Sequence, residues 1–410
     1  MKLIAKFAVT AAASLFLAGC LSSAFELGNS AAPPTNVTVI PGDSSATVTW
    51  TGVGNVQYWL FAAMASSITT ENWNTLPGGR ALINVSSPQL VTGLINGSTY
   101  SFTLNGRENK GPGGTGSPSV SIIPRPAGGS WTAGAPLGND LRAAAFGTVF
   151  VAVGAKGALY TSPDFNAWTP MVWTAKTLPL ATSTDLYAAF HTGAVYVVAG
   201  ANGVLMTSPD AVTWTAQTTG TTKTLYGVAS NGLGGYVAVG EQGTIVVSTD
   251  GLTWTVVNSG TTQDLFGVAY GNGVYVVTGA KGTLLSSGDT STWAVLSSNT
   301  AADLRGVAYG VNSVSQTLEY VAVGAAGTVI TSTDGTAWTA QTPLTGSNLN
   351  AVTYNRQFVI VGDAGAVITS VDGTAFQMRD SGTSSDLKAV THNIYGLSAV
   401  GLAGTNLTSL

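Results

Sequence analysis

The clearest feature of the chain is a repeat of short apolar runs that begins near Gly128. Each copy opens with a leucine and two apolar runs, and a third run follows a pair of glycines. Short apolar runs bounded by glycine and polar residues are typical of buried β-strands. The leucines that open the copies are Leu141, Leu186, Leu225, Leu265, Leu304, Leu349 and Leu387. The repeat therefore predicts seven equivalent β-units of about 40 residues each.

Two further motifs recur in register with these leucines. The second and third runs are separated by Gly-x-x-Gly, which predicts a tight reversal because glycine accepts positive φ. Six copies end in Ser-x-Asp-x-x-x-Trp or Phe. We expect each aspartate to accept backbone N–H groups of its own turn, and each aromatic ring to pack between neighbouring units. The aspartates are Asp164, Asp210, Asp250, Asp289, Asp334 and Asp372.

The two ends of the repeat region complement each other. The seventh copy stops at Leu410, before its aspartate and tryptophan positions, and an unmatched Trp131 precedes the first copy. We expect the strand of Trp131 to complete the unit that begins at Leu387. Such closure leaves no unpaired sheet edge.

The recurring Ser-x-Asp-x-Gly-x-x-Trp pattern resembles the Asp-box of the BNR repeat propellers. That group includes sialidases, sortilin-type receptors and photosystem II assembly factors. The resemblance implies that residues 128–410 form a seven-bladed β-propeller and that the aspartates are structural.

Residues 33–125 show another all-β pattern. Alternating residues predict a strand at 46–50, and further short strands predict a β-sandwich. Trp50, the corner that leads to Tyr100, and the loop at 109–113 resemble a fibronectin type III domain. We expect Trp50 to lie in the core and the Tyr100 hydroxyl to hydrogen-bond the backbone.

The first 32 residues predict export. Two lysines and an apolar run from Phe7 to Ala18 are typical of a signal peptide over residues 1–19. The sequence Leu-Ala-Gly-Cys20 resembles the bacterial lipobox, which implies that Cys20 is lipidated. With no aspartate after Cys20, the pattern resembles Gram-negative lipoproteins sorted to the outer membrane. Residues 20–32 then predict a flexible tether.

Composition narrows the possible functions. Charged residues make up 8% of the 410 residues, and 15 Lys and Arg against 19 Asp and Glu give a net charge of -4. This balance lacks the basic excess that nucleic-acid binding needs. With two histidines and one cysteine, neither a Cys/His zinc site nor an internal disulfide is expected, and no cofactor is predicted.

Candidate ligand-binding residues follow the seven leucines. Because the first strand of a propeller blade lines the central channel, the next residue is expected at the channel mouth. These residues are Arg142, Tyr187, Tyr226, Phe266, Arg305, Asn350 and Lys388. Cations, aromatic rings and an amide can hold an anionic or sugar-like ligand. The alternative is structural: the acids before the leucines, Asp140, Asp185, Asp264, Asp303 and Asp386, cap turns and pair with these cations.

Three functional hypotheses remain from the sequence. The first is a surface-anchored lipoprotein that binds protein or glycan partners in the cell envelope. The second is a sialidase-like glycoside hydrolase, although the propeller offers four arginines, two glutamates and no singled-out carboxylate pair. The third is an assembly factor for a membrane complex. His191 and His392 are predicted to be turn residues at the opposite end of the channel.

Overall fold

A computed structural model of the chain describes residues 29–163, 172–179, 184–312, 317–393 and 396–409. The predicted signal peptide, Cys20 and the first box aspartate, Asp164, lie outside the described residues. The described part is all-β and contains eight single-turn 3-10 helices but no α-helix. None of its segments is a helix long and apolar enough to cross a membrane.

The N-terminal part consists of two antiparallel sheets. Its strands are β1 (Ser30–Ala31), β2 (Thr35–Gly42), β3 (Ser45–Thr51), β4 (Gln57–Ala63), β5 (Arg80–Val85), β6 (Gln89–Thr92), β7 (Tyr100–Arg107) and β8 (Val120–Ile122), with a 3-10 turn at Trp73–Thr75. One sheet has the order β2-β3-β6, and the other has the order β1-β7-β4-β5, with β8 also paired to β7. An apolar core shared by strands of both sheets holds them together.

Two core residues have the roles predicted from the sequence. Trp50 is buried and packs edge-on against Tyr58, with ring centroids 6.0 Å apart. The Tyr100 hydroxyl accepts a hydrogen bond from the backbone N–H of Ile95 at 3.3 Å. Both predictions are confirmed. The hydrogen bond at Tyr100 provides the partner that the hydroxyl of a buried tyrosine needs.

The end of the predicted tether is an ordered part of this sandwich. Ser30 pairs with Arg107, and Ala31 pairs with Gly106. The backbone N–H of Glu108 also donates to the carbonyl of Asn29 at 2.8 Å. The prediction of a flexible segment up to residue 32 is therefore wrong for its last residues, whose backbone groups are hydrogen-bonded to a central strand.

Seven four-stranded antiparallel sheets follow, which we number I to VII. Sheets I to III are β10 (Leu141–Phe146), β11 (Val149–Gly154), β12 (Leu159–Pro163), β13 (Thr174–Ala175); β14 (Leu186–His191), β15 (Tyr196–Gly200), β16 (Leu205–Ser208), β17 (Thr215–Ala216); and β18 (Leu225–Ser230), β19 (Tyr236–Gly240), β20 (Ile245–Ser248), β21 (Thr255–Val257). Sheets IV and V are β22 (Leu265–Gly271), β23 (Val274–Gly279), β24 (Leu284–Ser287), β25 (Ala294–Val295); and β26 (Leu304–Val311), β27 (Leu318–Gly324), β28 (Val329–Ser332), β29 (Thr339–Ala340). Sheet VI is β30 (Leu349–Tyr354), β31 (Phe358–Gly362), β32 (Val367–Ser370) and β33 (Gln377–Arg379).

Sheet VII joins the two ends of the repeat region. It is β34 (Leu387–His392), β35 (Leu397–Gly401), β36 (Asn406–Ser409) and β9 (Thr132–Ala133). In this sheet Ala133 pairs with Leu407, and Thr132 pairs with Thr408. The first strand of each sheet packs against the first strand of the next, and β34 packs against β10. The sheets therefore form a cycle, which we call the ring. The strand after Trp131 completes the sheet that begins at Leu387.

The glycine pairs have two different functions. In each sheet the second and third strands are joined by a 3-10 turn: Ala155–Gly157, Ala201–Gly203, Glu241–Gly243, Ala280–Gly282, Ala325–Gly327, Asp363–Gly365 and Leu402–Gly404. The second glycine, such as Gly157 with φ +69°, has the left-handed conformation that the motif predicts. The first glycine does not, since Gly154 is extended at φ -172°. It is glycine because a Cβ would lie 1.9 Å from the carbonyl oxygen of Asp140.

The box aspartates hold their own turns together. In the second copy, Oδ1 of Asp210 accepts hydrogen bonds from the backbone N–H groups of Val212 and Thr213, each at 2.8 Å, and from the Ser208 hydroxyl at 3.0 Å. The same pattern recurs at Asp250, Asp289, Asp334 and Asp372. The backbone hydrogen bonds from Thr253 and Leu252 lower the pKa of Asp250 to about 2. These carboxylates therefore remain ionised acceptors at neutral pH.

The box aromatic residues that the structure describes pack between consecutive sheets. Trp338 is buried in a cluster that combines Tyr320 of sheet V with Val276 and Leu284 of sheet IV. Its indole N–H donates to the carbonyl of Gly335 at 3.3 Å. Equivalent clusters join the other neighbouring sheets, and the one around Leu141 and Val400 joins sheet I to sheet VII.

Candidate functional site

The seven candidate residues lie at an irregularity in the first strands. In every sheet the pairing register shifts between the opening leucine and the second residue after it. Such a bulge leaves one residue out of the ladder and turns its side chain away from the regular alternation. The residue left out is the candidate in each case, for example Arg142 between Leu141 and Ala143. The bulge was not predicted from the sequence.

Six of these side chains converge on one cavity of about 390 Å³, which we call the mouth. Its lining residues are Arg142, Tyr187, Tyr226, Phe266, Asp303, Arg305, Lys388 and Leu402. Asn350, the seventh predicted residue, is not among them. Its amide donates to the carboxylate of Asp363 at 2.7 Å and to the carbonyl of Leu387 at 2.8 Å.

The aromatic residues of the mouth form a continuous arc across sheets II, III and IV. The ring centroids of Tyr187 and Tyr226 are 5.3 Å apart at an interplanar angle of 83°, and those of Tyr226 and Phe266 are 5.7 Å apart at 58°. The guanidinium of Arg142 lies 4.5 Å from the Tyr187 ring centroid, which is cation–π geometry. The arc therefore provides an apolar wall with a cation at its first end.

Two of the three cations are neutralised by carboxylates. Arg142 forms a salt bridge with Asp185 at 3.0 Å. Lys388 forms salt bridges with Asp363 at 2.6 Å and with Asp386 at 3.0 Å. The expected pairing of the acids before the leucines with these cations thus holds for Asp386 with Lys388 and for Asp185 with Arg142, although Asp185 belongs to the sheet next to that of Arg142.

The acids before the leucines hold adjacent repeats together. Each accepts a backbone N–H from the 3-10 turn of the preceding sheet, at distances of 2.8 to 3.0 Å. The pairs of acid and donor are Asp140 with Ala403, Asp185 with Lys156, Asp264 with Gln242, Asp303 with Lys281, and Asp386 with Ala364. Their predicted turn-capping role is confirmed, with the difference that the capped turn lies in the neighbouring sheet.

Two titratable groups at or beside the mouth have shifted pKa values, and neither shift favours acid–base or nucleophilic chemistry. Partial burial raises the pKa of Asp363, but hydrogen bonds from Lys388 and Asn350 and the lysine charge outweigh it and lower the pKa to about 2. A general acid needs a pKa near the working pH. Burial, followed by the charges of Asp264 and Glu241, raises the pKa of Tyr226, the opposite of activation as a nucleophile. The arrangement is suited to binding.

The other end of the channel has a different composition. A cavity of about 750 Å³ there is lined by the last residues of the first strands, among them Phe146, Tyr270 and Tyr309. His191 and His392 lie at the ends of strands β14 and β34, so their prediction as turn residues is wrong. Burial lowers the pKa of both histidines. Within the described ranges, no three His, Cys, Asp or Glu side chains come together as a candidate metal site.

The sandwich contacts the ring at this second end. Arg356, in the loop between β30 and β31, donates to the carbonyl of Asp43 at 3.2 Å and lies 3.7 Å from its carboxylate. The neighbouring Gln357 side chain donates to the carbonyl of the buried Ala127. These contacts lie at the end of the channel opposite the mouth.

Comparison with known proteins identifies the fold of the ring. No family model matches the sequence, and no curated protein matches it. Among solved structures, YCF48 bound to a D1 peptide superposes with a TM-score of 0.55 at 16% identity, over 68% of this chain and 94% of that one. YCF48 from Cyanidioschyzon merolae gives 0.52 at 16% identity, over 68% and 98%. The WD40 propeller domain of Doa1 gives 0.54 at 11% identity, over 69% and 96%. The chain therefore contains a β-propeller.

Proposed function

We propose that the protein is a lipid-anchored binding module of the bacterial cell envelope. In this proposal Cys20 carries the anchor, residues 33–125 are a fibronectin type III-like spacer, and residues 128–410 are a seven-bladed propeller. The blade count is supported by the seven four-stranded sheets and by the cycle of their first strands. The two-sheet core around Trp50 and Tyr58 supports the fibronectin-like interpretation.

The observation that carries the binding function is the convergence at the mouth. Bulges in the first strands bring three cations and three aromatic rings to one opening, although the repeat does not fix the residue type at this position. Charged donors beside aromatic surface are typical of ligand sites. The contacts of the sandwich at the other end leave this opening for a partner.

Protein partners are favoured over glycans by one comparison. A solved structure with the same fold, YCF48, is bound to a D1 peptide. Identity of 16% extends only the fold to this chain, so the peptide supports the class of partner and not its sequence. It equally favours the third hypothesis, an assembly factor for a membrane complex.

We expect loss of partner capture when the mouth loses its cations. The triple change Arg142→Ala, Arg305→Ala and Lys388→Ala removes all three positive charges of the lining. Capture of envelope proteins by the immobilised full-length chain, followed by mass spectrometry, should lose specific partners relative to wild type. The control Lys110→Ala, Arg125→Ala and Lys176→Ala changes the net charge equally, away from the mouth.

The ion pairs of Arg142 and Lys388 mean that the triple variant also needs a stability measurement. Partly exposed pairs contribute about 0.2–1 kcal/mol each, so the melting temperature should fall by only a few degrees. A folded triple variant that captures the same partners as wild type would contradict the proposed function.

We expect Cys20→Ala to abolish membrane anchoring. If the sulfur of Cys20 carries the lipid, the variant should be recovered as soluble or unprocessed protein, because each buried CH₂ of an acyl chain contributes about 0.8 kcal/mol to membrane binding. Fractionation of cells and the mobility of the product on gels measure this. Ser23→Ala is the control, and a mature Cys20→Ala protein in the membrane fraction would refute the anchor.

A further inference from the structure

Arg305 differs from the other two cations of the mouth. Among the described residues, no salt bridge involves Arg305. Its Nη1 donates instead to the amide oxygen of Asn350 at 2.7 Å. A guanidinium has five N–H donors, so further donors are available to a ligand.

The orientation of Arg305 is fixed by a neutral group. The amide nitrogen of Asn350 donates to Asp363 and to the carbonyl of Leu387, which leaves its oxygen for Arg305. Asp363 is already paired with Lys388 at 2.6 Å. The guanidinium is thus held in place, with no carboxylate among the described residues to offset its positive charge, and this favours charge-assisted binding of an anion.

Apolar surface lies on one side of this cation. Phe266 occupies the same repeat position in sheet IV, and sheet IV is next to sheet V, which contains Arg305. Phe266 is the last residue of the aromatic arc, where its ring packs against Tyr226. The two rings are inclined at 58°, so they present an angled apolar surface to the cavity and not a flat stacking platform. Such a surface fits the apolar body of a ligand whose charge lies at Arg305.

The remaining charges limit the ligand to one negative group. Asp303 lines the same cavity, and Asp185, Asp363 and Asp386 accompany the other two cations. A second anionic group would meet these carboxylates with no free cation among the described lining residues to offset the repulsion. The cavity of about 390 Å³ also admits a small body or a chain end, and not a folded surface.

We propose that the mouth binds a single carboxylate attached to an apolar body of aromatic size. The carboxylate lies on Arg305, and the body packs against Phe266 and Tyr226. This inference rests on the proposed function, because it uses the same mouth, and it names the ligand chemistry. Two sources share that chemistry: a small aryl acid, and the C-terminus of a peptide with a large apolar last side chain.

The experiment uses full-length protein and calorimetric titration with matched probes. The probes are 2-naphthoate, its neutral amide, citrate, and the peptide Gly-Gly-Phe with a free or an amidated C-terminus. We expect 2-naphthoate or the free peptide to bind. The neutral amides and citrate should bind with an affinity at least about tenfold lower, which is the scale of a hydrogen bond to a charged group. The tighter of the two carboxylates identifies the source.

Variants assign the two halves of the site. Arg305→Gln should weaken binding of the better carboxylate by about tenfold or more, and Phe266→Ala should weaken it by a similar factor. Arg305→Lys keeps the positive charge and should bind the carboxylate more tightly than Arg305→Gln does. Arg379→Gln, on the outer strand β33, is the control and should leave the affinity unchanged. Melting curves establish that each variant is folded.

The outcomes separate this inference from the proposed function. The inference is overturned if no carboxylate probe binds, if citrate or the amides bind as tightly, or if folded Arg305→Gln binds unchanged. Loss of partner capture in the triple variant alongside any of these results would leave the proposed function standing. If carboxylate binding depends on Arg305 but partner capture survives the triple change, the proposed function is refuted and the carboxylate inference stands.

Discussion

Replacing residues 128–134 by a Gly/Ser segment of equal length will destabilise the whole ring, although these residues are far in sequence from the strand they complete. Strand β9 supplies the fourth strand of sheet VII, and the backbone N–H of Gly128 donates to the hydroxyl of Ser409 at 2.7 Å. Trp131 packs on the cluster that joins sheets VI and VII. Losing a large packed aromatic costs about 3–5 kcal/mol, which lowers the melting temperature of a domain of this size by roughly 10 °C.

The equal length of the segment keeps the connection between sandwich and ring. Differential scanning calorimetry measures the effect, and the point variant Trp131→Ala should reproduce most of it. Thr132→Ala is the control, since its side chain is exposed on the outer strand. A ring that melts within about 2 °C of wild type, well below the shift that a loss of this size predicts, would show that β9 does not close it.

Gly282→Ala will be among the most damaging single substitutions of the ring. Gly282 ends the 3-10 turn of sheet IV with φ +73°, and a Cβ there would lie 1.9 Å from the backbone carbonyl oxygen of Thr300. The left-handed conformation and the forced backbone shift together cost about 2–4 kcal/mol. We expect the midpoint of urea unfolding to fall accordingly, with an unchanged slope.

Gly288→Ala provides the matched control in the same sheet. Gly288 has no positive φ, and the space beside its Cα is open, since the nearest atom to an added Cβ would be 3.8 Å away. Its substitution should change the stability by about 0.5 kcal/mol or less, as is usual at the surface. Equal effects of the two substitutions would show that the turn geometry does not limit stability.

Local patterns in the sequence account for the repeated features of the fold. Leucine, Gly-x-x-Gly and the Asp-box each act within a few residues, through burial, backbone conformation and short-range hydrogen bonds. The second glycine illustrates this, because positive φ at Gly157 is a property of its own turn. The first glycine, Gly154, needed the structure for its explanation, since its constraint is the carbonyl of Asp140 at the start of the adjacent strand.

The same distinction applies to the mouth. The sequence alone placed Arg142, Tyr226, Phe266 and Arg305 at equivalent positions, and equivalent positions of a closed repeat converge on the axis. Only the tertiary structure decided that Arg142 pairs with Asp185 of the next sheet, that the Asn350 amide donates to Asp363, and that Arg305 has a neutral partner. The physical reason is range: a repeat determines which side chains reach the opening, whereas charge pairing depends on distances between atoms of different sheets, which are set when the ring packs and closes.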